Sequence, residues 1–182
     1  MKCLMDGYNL IVISGIDGSF TEYDSTIEKI LNCRNCVKIA YNRSLTFIQN
    51  IEFMRKIIDK INMKCVIVGW SIGAVASAFL ADCTNVTSVV LINPFFRRSD
   101  ILKHRNISCE EEVTILSTKK QAVKYTIITG MLDDKIPYNE SEKIVKYYNL
   151  NSDEIIYVSE ARHNISSFPK GLLAKIINIH TL

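Results

Sequence analysis

Along this chain, short apolar runs of strand length alternate with longer stretches in which apolar residues return every three or four positions. An unbroken or two-periodic apolar run reads as a strand, and a period near 3.6 reads as a helix buried on one face. The sequence therefore predicts strands over 10–14, 37–41, 64–69, 86–92, 124–129 and 154–159. Helices are predicted near 23–32 and over 47–62, 72–82, 139–149 and 170–180, with a mostly irregular or partly helical segment over 94–122. Helix 47–62 has the clearest pattern, with Phe47, Ile51, Met54, Ile57, Ile58 and Ile61 on one face, and these are core residues by default. Strands alternating with helices imply an α/β fold with right-handed crossovers and a mainly parallel sheet. The ligand crevice then lies at the carboxyl ends of the strands.

The most informative stretch joins strand 64–69 to helix 72–82 and reads Gly69, Trp70, Ser71, Ile72, Gly73. In such a strand-turn-helix the serine is forced into a strained backbone conformation that only small neighbours permit. Its hydroxyl then stands above the sheet edge at the N-terminal end of a helix. A larger residue at Gly69 or Gly73 would bring a side chain against the neighbouring strand or helix. Ser71 is the candidate nucleophile. The plainer reading is a tight turn around a buried serine, and partner residues downstream decide between the two.

A serine hydroxyl is a poor nucleophile at neutral pH and needs a base within hydrogen-bond reach, itself oriented by a third group. The chain has three histidines. His104 lies in a basic, polar stretch and His180 on the last predicted helix, whereas His163 follows strand 154–159 after a short loop. The third group belongs on a loop after another strand, between the serine and the histidine in chain order. Strand 124–129 leads into Gly130, Met131, Leu132, Asp133, Asp134, Lys135, Ile136 and Pro137, where two carboxylates compete.

In this order of nucleophile, acid and histidine, each after a strand, the sequence resembles the α/β-hydrolase family. The family's acid loop commonly reads Gly, two residues, Asp, two residues, an aliphatic residue and Pro. Gly130, Asp133, Ile136 and Pro137 fall on those positions, so the resemblance selects Asp133 over Asp134. Near the N-terminus, strand 10–14 and the segment 15–20 look like the family's oxyanion loop. That loop usually begins His-Gly or Pro-Gly and here begins Ser14-Gly15. The resemblance implies the backbone N–H groups of Ile16 and Ile72 as oxyanion donors, a role that does not depend on their side chains. It extends from about residue 9 to about residue 163.

The resemblance implies a pared-down α/β-hydrolase fold of about six strands, lacking the two further strands with which the family normally begins, with 94–122 as a short lid-like insertion. It implies a serine esterase or thioesterase that works through an acyl-enzyme and requires no metal or organic cofactor. The same residues would also serve an acyltransferase, or a non-catalytic ligand-binding protein that has kept the fold. Some thirty residues are too few for a large helical cap, so the site is expected to be open or lightly covered. Trp70, Phe95 and Phe96 could wall an acyl pocket or simply pack in the core. Arg97, Arg98, Lys103, His104 and Arg105 cluster in the lid. Such a cluster is usually a solvated face; its functional reading is recognition of an anionic handle, chiefly by Arg97 and Arg98. That would suit acyl chains on an acyl carrier protein or on coenzyme A.

Composition bounds the alternatives. With 182 residues the chain suffices for one such domain, 1–182, and has no room for a second. A net charge of +3, dispersed along the chain, gives no footprint for nucleic acid. The longest apolar runs fall short of the roughly 18 residues of a membrane span, and the first six residues carry no apolar leader, so a cytoplasmic protein is expected. The six cysteines then read as reduced thiols. Cys33 and Cys36 have a metal-like spacing, but one such pair alone is a weak zinc signal.

Overall fold

The computed structural model describes residues 7–17, 20, 35–104, 111–115 and 122–181. The predicted helix near 23–32 lies outside these residues, as do Cys33 and Arg105. Among the described residues six strands form one sheet: β1 (Tyr8–Ile13), β2 (Cys36–Ile39), β3 (Lys64–Trp70), β4 (Val86–Ile92), β5 (Lys124–Gly130) and β6 (Ile155–Val158). Their order in the sheet is β2-β1-β3-β4-β5-β6, and every neighbouring pair is parallel. The helices are α1 (Phe47–Ile58), α2 (Ile72–Leu80), α3 (Arg98–His104), α4 (Asn139–Tyr148) and α5 (Leu172–Thr181).

Parallel strands covered on both faces are apolar on both faces, which is why the interiors of β1, β3, β4 and β5 read as largely apolar runs. Successive side chains of one strand enter different cores. Ile11 and Ile13, with Ile67, Leu91 and Ile127, pack under α1, α2 and α4, while Leu10 and Val12, with Val68, Val90 and Ile128, pack under Leu173, Ile176 and Ile177 of α5. Each aliphatic side chain buried this way contributes about 1.5–3 kcal/mol against leaving it in water. Among the described residues no helix is long and apolar enough to cross a membrane.

Most predicted elements appear within a residue or two of their expected ends; α1 does not. Its N-terminus is a capping box, in which the Thr46 hydroxyl accepts from the Gln49 N–H and the Gln49 side chain accepts from the Thr46 N–H. At the other end the periodic pattern continues to Ile61, yet the helix stops at Ile58. The Asn85 side-chain amide donates to the carbonyls of Ile58 and Ile61 at 2.9 and 2.8 Å, satisfying groups that further helix would have paired.

The strand ends determine where the site forms. After β3, Ser71 N–H donates to Ile92 O; after β4, Asn93 N–H donates to Ile128 O; after β5, Met131 N–H donates to Val158 O. Each exit loop is thereby tied to the neighbouring strand along one edge of the sheet.

Candidate active site

Ser71 sits at φ 58° and ψ −122°, a conformation that costs a residue with a side chain of the order of 1–3 kcal/mol. The glycines around it make that turn possible. A Cβ on Gly69 would run into the Gly73 carbonyl and the Ser77 hydroxyl, and one on Gly73 would run into the Ile13 and Ser14 carbonyls. The β3–α2 turn therefore lies directly against the end of β1. Ser71 is half-buried, and its hydroxyl caps none of the free N–H groups of α2.

Asp133 and His163 are hydrogen-bonded, with Nδ1 of the imidazole 2.8 Å from Oδ2 of the carboxylate. The other oxygen of Asp133 accepts the backbone N–H groups of Lys135 and Ile136 at 2.8 and 2.9 Å. Both partners are buried, the Asp133 side chain completely. Asp134, its competitor in the sequence, is exposed. A carboxylate acceptor keeps the proton on Nδ1, which leaves the Nε2 lone pair available. The Trp70 indole N–H donates to the His163 carbonyl at 2.9 Å, and its ring lies 5.3 Å from the imidazole.

Ser71 and His163 both line one cavity of about 340 Å³, without a direct hydrogen bond between them. Resting sites are often loose in this way and tighten around substrate. Trp70, Phe95, Ile101 and Leu102 supply apolar wall, and Ile16 and Ile72 border the same space. The oxyanion-like loop is anchored by Ser14, whose hydroxyl accepts the Tyr41 N–H and donates to the Gly15 carbonyl, both at 3.0 Å. A serine at the position where the family has His or Pro thus ties this loop to the exit of β2.

Two of the residues expected to contact substrate do not border this cavity. Phe96 does not line the cavity; its ring packs edge-on against Tyr147 at 5.4 Å. Arg97 is exposed, pairs through its backbone with Thr114 and also lies off the cavity. The chain bends at Phe96 between β4 and α3, and Phe95, on the other side of that bend from Arg97, is the buried residue of the three. Arg98 does line the cavity, its guanidinium bonded to the Glu111 carbonyl at 3.2 Å and 3.9 Å from the Glu111 carboxylate. The segment after β4 contains α3, which supplies Ile101 and Leu102.

Arg43 and Lys135 border the cavity without having been singled out in the sequence, as does Asp17. Arg43 donates from Nε to the Ile16 carbonyl. It sits on the exit loop of β2, held by Asn50 through Asn42, and every such exit loop in a parallel sheet is a candidate for the crevice. Among the described residues no three His, Cys, Asp or Glu side chains come together as a metal would need. Burial pushes the Cys65 and Cys83 thiols up to about 11, so neither offers a thiolate at neutral pH.

No protein-family model matches the sequence, and no curated protein matches it at a significant level. Solved structures do resemble it. A YdeN-like hydrolase candidate of Pectobacterium atrosepticum superimposes with a TM-score of 0.73 at 14% identity, over 97% of this chain and 91% of the other. The esterase domain of a Rhodothermus marinus protein gives 0.70 at 12% identity over 100% and 89%. The monoacylglycerol lipase of Paleococcus ferrophilus gives 0.62 at 13% identity over 96% and 93%. At such identities the likeness is one of architecture, and it spans nearly the whole of each chain: this protein has the α/β-hydrolase fold.

Proposed function

We propose that the protein is a serine hydrolase that cleaves carboxylic esters or thioesters through an acyl-enzyme. The observation that carries this reading is the buried Asp133–His163 pair on the same cavity as Ser71, a serine held at positive φ above the sheet edge. The solved neighbours named as esterase and lipase fit it. In this reading His163 Nε2 takes the Ser71 proton as Oγ attacks the carbonyl carbon, and the backbone N–H groups of Ile16 and Ile72 receive the charge on the carbonyl oxygen. Asp133 holds the imidazolium that forms. The alcohol or thiol leaves with the proton from His163. Water then gives its proton to His163, attacks the acyl carbon and releases the acid, restoring Ser71. Ile16 is 43% exposed at the rim, so the cavity is open to water as hydrolysis requires.

The finer reading is a substrate with an anionic handle, such as an acyl group on coenzyme A or on an acyl carrier protein. Among the described residues Arg43, Arg98 and Lys135 border the cavity, and Asp17 is the only carboxylate that does. Because Arg97 lies off the cavity, the test rests on Arg98. Arg98→Glu is expected to raise KM for butyryl-coenzyme A about tenfold, equivalent to about 1.4 kcal/mol, and to leave KM for p-nitrophenyl butyrate nearly unchanged. Equal changes for both substrates would rule out the anionic handle. Failure of Ser71→Ala to abolish turnover of either would rule out the serine mechanism itself.

A further inference from the structure

Among the described residues three non-glycine residues have positive φ: Ser71 at 58°, Asn93 at 44° and Asn149 at 51°. Ser71 owes this to its turn, and Asn149 ends α4, where a left-handed residue is ordinary. Asn93 ends no helix. It follows β4 and precedes Pro94, a position that favours extended backbone, so its conformation is maintained by its surroundings.

Those surroundings are hydrogen bonds, and they converge on the candidate site. Asn93 is 1% exposed. Its Oδ1 accepts the Gly130 N–H at 2.8 Å, and its Nδ2 donates to the His163 carbonyl at 3.1 Å and the Arg162 carbonyl at 3.2 Å. One amide thus joins the start of the Asp133 loop to the loop that carries His163. These loops are in direct backbone contact there, since a Cβ on Gly130 would meet the Ala161 carbonyl at 2.5 Å and the Arg162 carbonyl at 2.9 Å. The His163 carbonyl has a second donor, the indole N–H of Trp70, the residue before Ser71. Its backbone is therefore held from the nucleophile's side by Trp70 and from the acid's side by Asn93.

We infer that Asn93 is a positioning residue for the reaction, fixing the His163 loop relative to Ser71 and Asp133 without touching substrate; the inference rests on the serine-hydrolase reading. A side chain in this place must accept one N–H and donate to two carbonyls while tolerating positive φ, and asparagine meets all of these requirements. Aspartate keeps the shape and the acceptor but loses the donors. Glycine keeps the backbone and loses all three bonds.

The test is steady-state hydrolysis of p-nitrophenyl acetate by the wild type, Asn93→Asp, Asn93→Gly and the control Asn149→Gly, each first shown to be folded by a cooperative thermal melt. Misplacing a catalytic base by an ångström or less costs about 10- to 100-fold, so kcat is expected to fall by that factor in both Asn93 variants. KM is expected to stay within about twofold, the pattern of an interaction that acts in the transition state. Asn149→Gly should match the wild type, because its left-handed asparagine lies outside the cavity lining. A folded Asn93 variant with wild-type kcat, or a loss confined to KM, would overturn the positioning role while leaving the serine-hydrolase reading intact. A wild type without Ser71-dependent turnover would overturn both. Where Asn93→Gly does not fold, Asn93→Asp, which keeps the shape and the tolerance of positive φ, carries the test.

Discussion

At the scale of single residues, the buried histidines His163 and His180 sit in different surroundings. His163 has a carboxylate on Nδ1, lines the cavity, and has no partner on Nε2 among the described residues. His180 is as deeply buried, but its Nε2 lies 2.8 Å from the Thr126 hydroxyl and its Nδ1 has no partner among the described residues. Burial, with Lys124 nearby, holds its pKa below the ordinary 6.5. The unfolded chain therefore takes up this proton first as pH falls. The contribution of His180 to stability is fully present above about pH 6.5 and is lost as pH drops through the lower folded value. His180→Gln removes the titration, so its stability should fall less steeply than the wild type's between pH 7 and 5 in denaturant melts. Parallel curves would contradict this.

Legibility at this scale was uneven for physical reasons. The pairing of Asp133 with His163 could be read because a loop motif and a strand end mark the two residues locally. That Phe96 and Arg97 lie off the cavity could not, because the irregular stretch between β4 and α3 has no periodic pattern from which the direction of a side chain can be read. Asn93 was hidden more deeply, since its side-chain partners lie 37 to 70 residues away in the chain.

At the scale of elements, strands were easier to read than helix ends. A buried parallel strand is a run of apolar residues and stops where the run stops. Helix α1 ends inside its own apolar pattern because the side chain of Asn85 takes its carbonyls, a tertiary contact without local trace. The segment after β4 depends on a similar contact. Glu140, buried in the first turn of α4, accepts the N–H groups of Phe96 and Arg97 at 3.0 and 3.3 Å. Its other oxygen pairs with Lys143, which also reaches Asp100 of α3 at 3.0 Å. Glu140→Gln keeps the shape but weakens the charge-assisted bonds, each of which is worth about 1.5–3 kcal/mol. For a chain of this size, a loss of about 1.5 kcal/mol lowers the melting temperature by about 3–6 °C. An unchanged melting temperature would show that this segment is anchored elsewhere.

At the scale of the whole molecule, the site is a product of topology. Parallel strands place all their exit loops along one edge, and the order β2-β1-β3-β4-β5-β6 brings the exits of β1, β3 and β5, together with the loop after β6, to a single cavity. That convergence is why residues as far apart as Ile16, Ser71, Asp133 and His163 can form one site, and why the alternation of strands and helices pointed to the crevice before any side chain was placed. The central claim is that this assembly activates Ser71. The most direct measurement is intact mass after treatment with a fluorophosphonate probe, on the wild type, Ser71→Ala and His163→Ala. A single adduct on the wild type that is absent from both variants is the predicted result. No adduct on the folded wild type, or an adduct that persists in Ser71→Ala, would contradict the claim.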